Sequence, residues 1–76
     1  MNTEKQLGMN VRIMRAKLGA SQAQVAKSAQ LSQAYVGKIE RGQGNVTVAV
    51  LDKLAKALGT TPKQLLSQIE LDTHAA

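Results

Sequence analysis

Apolar residues recur at helical spacing in successive runs along this chain, and each run is bounded by residues that start or stop helices. Leu7, Val11, Met14 and Leu18 stand at i, i+4, i+7 and i+11, the template of one buried helix face. The spacing predicts a helix over Thr3–Leu18, weakened at its start by Gly8 and stopped by Gly19. Met9 and Met14 read as core filler. Ser21 then offers an N-cap with Gln24 at N3, a capping box. Val25, Ala26 and Ala29 form the stripe of a short second helix. Ser32 is a further N-cap only a few residues on, so Ala29-Gln30-Leu31 is a sharp turn. Gln30 stands where such a reversal favours glycine, because φ > 0 suits a side chain poorly.

From Ser32 the next helix has two sides. Val36 and Ile39 point one way, joined by Leu31; Ala34, Gly37, Lys38 and Arg41 point the other, with Gln33 on the shoulder of that outer face. Tyr35 and Glu40 fall at the two borders. Tyr35 is expected to be half core, with its hydroxyl wet. Gly37 costs about 1 kcal/mol inside a helix, which is acceptable where another surface approaches closely. Gly42 ends the helix, and Gln43-Gly44-Asn45-Val46 is a loop. Thr47 caps a fourth helix with a buried stripe of Val48, Leu51, Leu54, Ala55 and Leu58, stopped by Gly59; Lys53 and Lys56 face solvent. Thr61, Pro62 and Gln64 open a last helix through a second capping box, followed by Leu65, Leu66 and Ile69.

Length and composition narrow the class. A chain of 76 residues is one small domain, and at that size only about 60% of the unfolded surface is buried. With no Cys, neither a disulfide nor a thiolate metal site supports it. Tight helix packing or a partner subunit must do so. Tyr35 is the only aromatic residue, and β-branched residues are scattered, so the chain reads as all-α. No apolar run reaches the length of a membrane span, and MNTEKQLG lacks the apolar region of a secretory signal. The expected location is the cytoplasm. No catalytic constellation, cofactor motif or metal-ligand cluster is present, and His74 stands alone, so an enzyme is not expected.

Charge then points to a partner. The net charge is +5. All ten Lys and Arg lie between Lys5 and Lys63, with Glu40 and Asp52 the only carboxylates among them, while Glu70 and Asp72 make the end acidic. A basic body suits a polyanion, and the signature of membrane-surface helices is absent. The outer face beyond Ser32 suits duplex DNA. Gln33 can pair bidentately with adenine, Ala34 can touch a thymine methyl, and Lys38 can reach guanine or phosphate. Amides near Ser32 can accept a phosphate oxygen. Solvated surface residues would look the same one by one; the pattern is the more specific signal.

The stretch SQAQVAKSAQLSQAYVGKIERG resembles the helix-turn-helix of the Cro/repressor-type, or xenobiotic-response-element-like, family. The matching features are S-Q-x-x-[VL]-A, then L-S-x-x-[YS]-[VI]-x-x-I-E-R-G, and further on K-L-A-K-A-L-G. The likeness runs from about Leu7 to Leu66. It departs at Gln30, where the family often has Gly or Asn. The resemblance implies a compact five-helix, lambda-repressor-like fold. It implies that Ser32, Gln33, Ala34 and Lys38 face DNA, and that Gln22 contacts a phosphate and holds Gln33. Arg15 and Glu40 match a buried ion pair tying the first helix to the recognition helix, as the border position of Glu40 also requires. The segment holding Gln43 and Asn45 would lie against the DNA backbone, although a plain connector fits it equally. Arg41 and the Tyr35 hydroxyl are further candidates for phosphate.

These readings combine into a helix-turn-helix domain over residues 1–70 with a disordered tail over 71–76. Its expected partner is double-stranded DNA, bound as a homodimer on a near-palindromic operator, and no cofactor is expected. The resemblance suggests a phage-type repressor, a restriction–modification controller or an antitoxin-like autoregulator. Val50, Leu66, Ile69 and Leu71 exceed what one core uses and are expected to form the dimer surface. Two rivals remain: a helical module whose chief partner is a protein, and a non-specific nucleoid or RNA binder.

Overall fold

A computed structural model describes residues 3–67 of the chain. Those residues form five helices: α1 (Thr3–Leu18), α2 (Gln22–Ala29), α3 (Gln33–Glu40), α4 (Val48–Ala57) and α5 (Pro62–Leu66). There is no strand among them. Helix α1 packs on α3 and α5, α2 packs on α3 and α4, and α4 packs on α5. The five close around one core of Leu7, Val11, Val25, Ala29, Ile39, Leu51, Leu54, Ala55, Leu58 and Leu65.

Hydroxyl caps set four of the five helix starts. Ser21, Ser32, Thr47 and Thr61 each accept the backbone N–H three residues on, satisfying a donor that the first turn otherwise leaves unpaired. At Ser21 the Gln24 side chain also bonds back, which completes the capping box. At Thr61 only the hydroxyl half forms, so the second expected box is a simple N-cap. The helix ends share one design as well. Gly19, Gln30, Gly42 and Gly59 all take left-handed φ of 59–74°. Each closes with the paired 6→1 and 5→2 hydrogen bonds of a Schellman turn, such as Leu31 N to Ala26 O at 2.8 Å and Gln30 N to Lys27 O at 3.1 Å. Gln30 is the odd member of that set, a side chain in a glycine conformation.

Two stripes stop short of their expected reach. Leu18 is 57% exposed and Val48 is 84% exposed. Leu18 is the last residue of α1, and beyond the Gly19 turn Ala20 packs on the core in its place. Val48 is the first residue of α4, while Val50 and Leu51 pack on the core. Val50 is half-buried against the core and Leu66 is 44% exposed. Ile69, Leu71 and the proposed tail lie outside the described residues.

Two positions in α1 fix its neighbours. Gly8 is buried, and a Cβ there would overlap the Ile39 carbonyl oxygen and stand 2.9 Å from that of Glu40. Backbone of α1 therefore touches backbone of α3. Asn10, fully buried, donates through Nδ2 to the carbonyls of Leu65 (2.7 Å) and Ser67 (2.6 Å), and its Oδ1 accepts from Gln6 at 3.0 Å. It thereby caps the C-terminal end of α5 with a side chain from α1.

Candidate nucleic-acid interface

Helices α2 and α3 form two short arms around the Gln30 turn, and α3 presents a bare outer face. Val36 and Ile39 on its inner face are buried. Gln33, Ala34, Lys38 and Arg41 on the outer side are exposed, as is Ser32 at the cap. Gly37 was expected on the open face but is covered, because the Gln22 and Arg41 side chains reach over it.

The tilt of α3 is held by Glu40, whose side chain is only 4% exposed. Arg15 grips both carboxylate oxygens, Nε to Oε2 at 2.7 Å and Nη2 to Oε1 at 3.0 Å, and its Nη1 donates to the Ala20 carbonyl at 3.0 Å. Gln22 Nε2 adds a bond to Glu40 Oε1 at 3.0 Å. One carboxylate thus joins α1, α2 and α3. Burial alone would push the Glu40 carboxyl up. The hydrogen bonds from Arg15 and Gln22, with the charges of Arg15 and Arg12, outweigh it and hold the group below the ordinary carboxylate range. The same bond to Glu40 raises the Arg15 guanidinium further, against a smaller desolvation effect.

Three side-chain contacts were not foreseen. In the free chain Gln22 gives its amide nitrogen to Glu40, not to Gln33, because an ionised carboxylate is the stronger acceptor. Tyr35 is half-buried, as expected, and on the exposed side its hydroxyl donates to the Asn45 carbonyl at 2.6 Å, a partner that was not foreseen. That bond spends its only proton on holding the 43–46 loop. Arg41 Nε donates to Gln43 Oε1 at 3.3 Å, so these two side chains lie together beyond the end of α3. Asn45 and Gln43 are exposed on the loop.

Gly8 and Asn10 were missed as determinants of this geometry. Both carried a signal. A glycine inside an apolar helix implies close approach wherever it occurs, and Asn10 sits three residues after Leu7 on the buried stripe. No helix among the described residues is long and apolar enough to cross a membrane.

The HTH_3 helix-turn-helix family matches residues 11–65, from the middle of α1 to the core residue of α5. The chain belongs to this helix-turn-helix family. With that membership it is a DNA-binding regulator of transcription. Control protein C.SmaI of Serratia marcescens is 40% identical over 68 residues, covering 90% of this chain and 81% of the relative. Control protein C.BamHI of Bacillus amyloliquefaciens is 42% identical over 60 residues, covering 78% and 74%. Among solved structures, the restriction-modification controller protein C.AhdI from Aeromonas hydrophila superposes with a TM-score of 0.79 at 39% identity, over 82% of this chain and 94% of that one.

Proposed function

We propose that this protein is a sequence-specific transcriptional regulator of the restriction–modification controller type, which binds a near-palindromic duplex operator as a homodimer. The observation that carries the reading is the exposed outer face of α3, held at a fixed tilt by the Arg15–Gln22–Glu40 junction behind it. In this reading Gln33, Ala34 and Lys38 meet base edges in the major groove. Ser32, Gln22, Arg41, Gln43 and Asn45 lie along the phosphates, with Tyr35 holding the loop in place. Two copies related by a two-fold axis read half-sites about 34 Å apart.

The exposed Val48 and Leu66 support self-association. With Leu7, Val46 and Leu51 they line a mostly apolar groove of about 330 Å³ on the side of α4. A second copy covering that groove would give this small domain apolar burial that its own core lacks. The same groove favours the rival reading, an antitoxin-type module whose chief partner is a protein. Sedimentation at micromolar concentration separates them: a homodimer burying the groove supports the first, a monomer the second.

The decisive experiment is selection from a random duplex library at physiological salt, with wild type and Gln33→Ala. The expected outcome is a two-fold symmetric motif for wild type. The variant should lose about 1–3 kcal/mol on that site and discriminate less at one base position per half-site. A motif unchanged by the substitution would remove Gln33 from base readout; binding without any motif would remove sequence specificity altogether.

A further inference from the structure

Behind the recognition helix lies a second polar hollow that the base-reading face does not use. It is an open cleft of about 350 Å³ between α1, α2 and α3, lined by Arg12, Arg15, Gln22, Gly37, Glu40 and Arg41. Its charges do not balance. Glu40 is the one carboxylate in the lining, and it already accepts three hydrogen bonds, two from Arg15 and one from Gln22. Arg12 and Arg41 make no ion pair among the described residues. Arg12 also stands three residues from Arg15 on one helix, an arrangement of like charges that weakens a helix by a few tenths of a kcal/mol. Its field is felt inside the cleft, where it helps to keep Glu40 ionised.

We propose that this cleft receives a phosphodiester of the duplex backbone, with Arg12 as an additional phosphate contact beside the Gln22 and Arg41 side chains that cover Gly37; this rests on the DNA-binding reading above. The donors are available. After its three bonds, the Arg15 guanidinium keeps one unused N–H on each of Nη1 and Nη2. The Gln22 amide keeps its second N–H. Arg12 is exposed and needs no partner exchange to turn inward. The missing side chain of Gly37 matters because a Cβ there would stand 3.3 Å from Arg41 Nη1 and 3.8 Å from Gln22 Oε1, against the two groups that turn toward the phosphate. The cleft adjoins the outer face of α3, so a phosphate seated in it borders the groove that Gln33 and Lys38 read. An entering phosphate would also relieve the Arg12–Arg15 repulsion, so the unmatched charge of the free chain becomes attraction in the complex.

The test compares Arg12→Gln with Lys17→Gln, an equal charge change at an exposed α1 position outside the cleft. Affinity for a random-sequence duplex is measured across a salt series. Arg12→Gln should flatten the slope of log K against log salt by about one unit and weaken all sequences alike; Lys17→Gln should leave the slope unchanged. Equal slopes for wild type and Arg12→Gln, or equal losses in both variants, would overturn the proposal. A second readout follows the arginine Nε–Hε resonances during titration with inorganic phosphate at low ionic strength. Arg12 and Arg41 should shift together, and the Arg41 shift should disappear in Arg12→Gln. Small shifts spread evenly over every cation would overturn the site. If wild type bound phosphate here but no duplex, the DNA-binding reading itself would fall, and with it the duplex as the source of the phosphate.

Discussion

Replacing Gly8 by alanine should destabilise this domain, against the ordinary rule for helix interiors. Glycine to alanine in an exposed helix gains about 1 kcal/mol. At Gly8 the new methyl would meet the Ile39 carbonyl oxygen inside contact distance and the Glu40 carbonyl oxygen at 2.9 Å. Both obstacles are backbone, so no side chain can rotate away. Restoring van der Waals separation requires α3 to move off α1 by on the order of 1 Å. Overpacking of this kind costs about 1–3 kcal/mol, and more where the obstacle is rigid. The shift would also stretch the 2.7 Å bond from Arg15 Nε to Glu40 Oε2. After subtraction of the helix-propensity gain, a net loss of about 2 kcal/mol is expected, or roughly 8–16 °C in Tm for a domain of this size. Gly37→Ala supplies the internal contrast. Its methyl would meet only the ends of the Arg41 and Gln22 side chains, so that variant should gain up to about 1 kcal/mol. Thermal and urea denaturation of wild type and both variants, at one fixed protein concentration, decide the matter. If Gly8→Ala melted at or above wild type, the backbone contact between α1 and α3 would not be what sets the helix spacing.

Glu40→Gln should lower stability by about 2 kcal/mol at neutral pH, less than the roughly 3–5 kcal/mol of a fully buried broken pair, because the Arg15 side chain is 24% exposed. The folded chain holds this carboxyl below its ordinary value. Its stabilisation is therefore complete above about pH 4.3, the unfolded value, and is lost as pH falls through the folded one. Urea midpoints between pH 3 and pH 6 should show a smaller acid loss in the variant, and parallel curves would refute the assignment. Gln30→Gly should raise stability by up to about 1 kcal/mol: it removes the roughly 1–2 kcal/mol strain of a left-handed side chain and returns part of that through the greater freedom of glycine when unfolded. A fall in Tm would mean that the Gln30 side chain contributes a contact outweighing its strain.

Helix starts and stops were the legible part of this chain, because caps are local chemistry. Ser21, Ser32, Thr47 and Thr61 each needed only a hydroxyl and a backbone N–H three residues away. The two-sided pattern from Ser32 to Arg41 was equally readable, since a 3.6-residue period assigns faces without reference to neighbours. What periodicity could not supply was where a neighbour ends. Leu18 and Val48 obey their stripes yet lie at helix tips and stay exposed among the described residues. Gly37 points outward and is still covered, because Gln22 reaches it from a different helix and Arg41 from the C-cap. The partner of the Tyr35 hydroxyl was not foreseen for the same reason. Its acceptor, the Asn45 carbonyl, belongs to a loop whose path is set by tertiary packing. Asn10 shows the limit most plainly: a polar residue on an apolar stripe announces a buried partner but not which one, and here the partners are 55 and 57 residues away.

The bond between Tyr35 and Asn45 also has a spectroscopic side. Tyr35 is the only aromatic residue in the chain, so every near-ultraviolet signal of the protein originates at one ring. That ring borders Gly44, and its hydroxyl is tied to the loop that follows α3. Tyrosine fluorescence and near-ultraviolet dichroism therefore watch a single hinge point, the attachment of the 43–46 loop to the recognition helix. Far-ultraviolet dichroism watches all five helices together. Recorded side by side without any added label, the two separate a loosening of that loop from unfolding of the bundle.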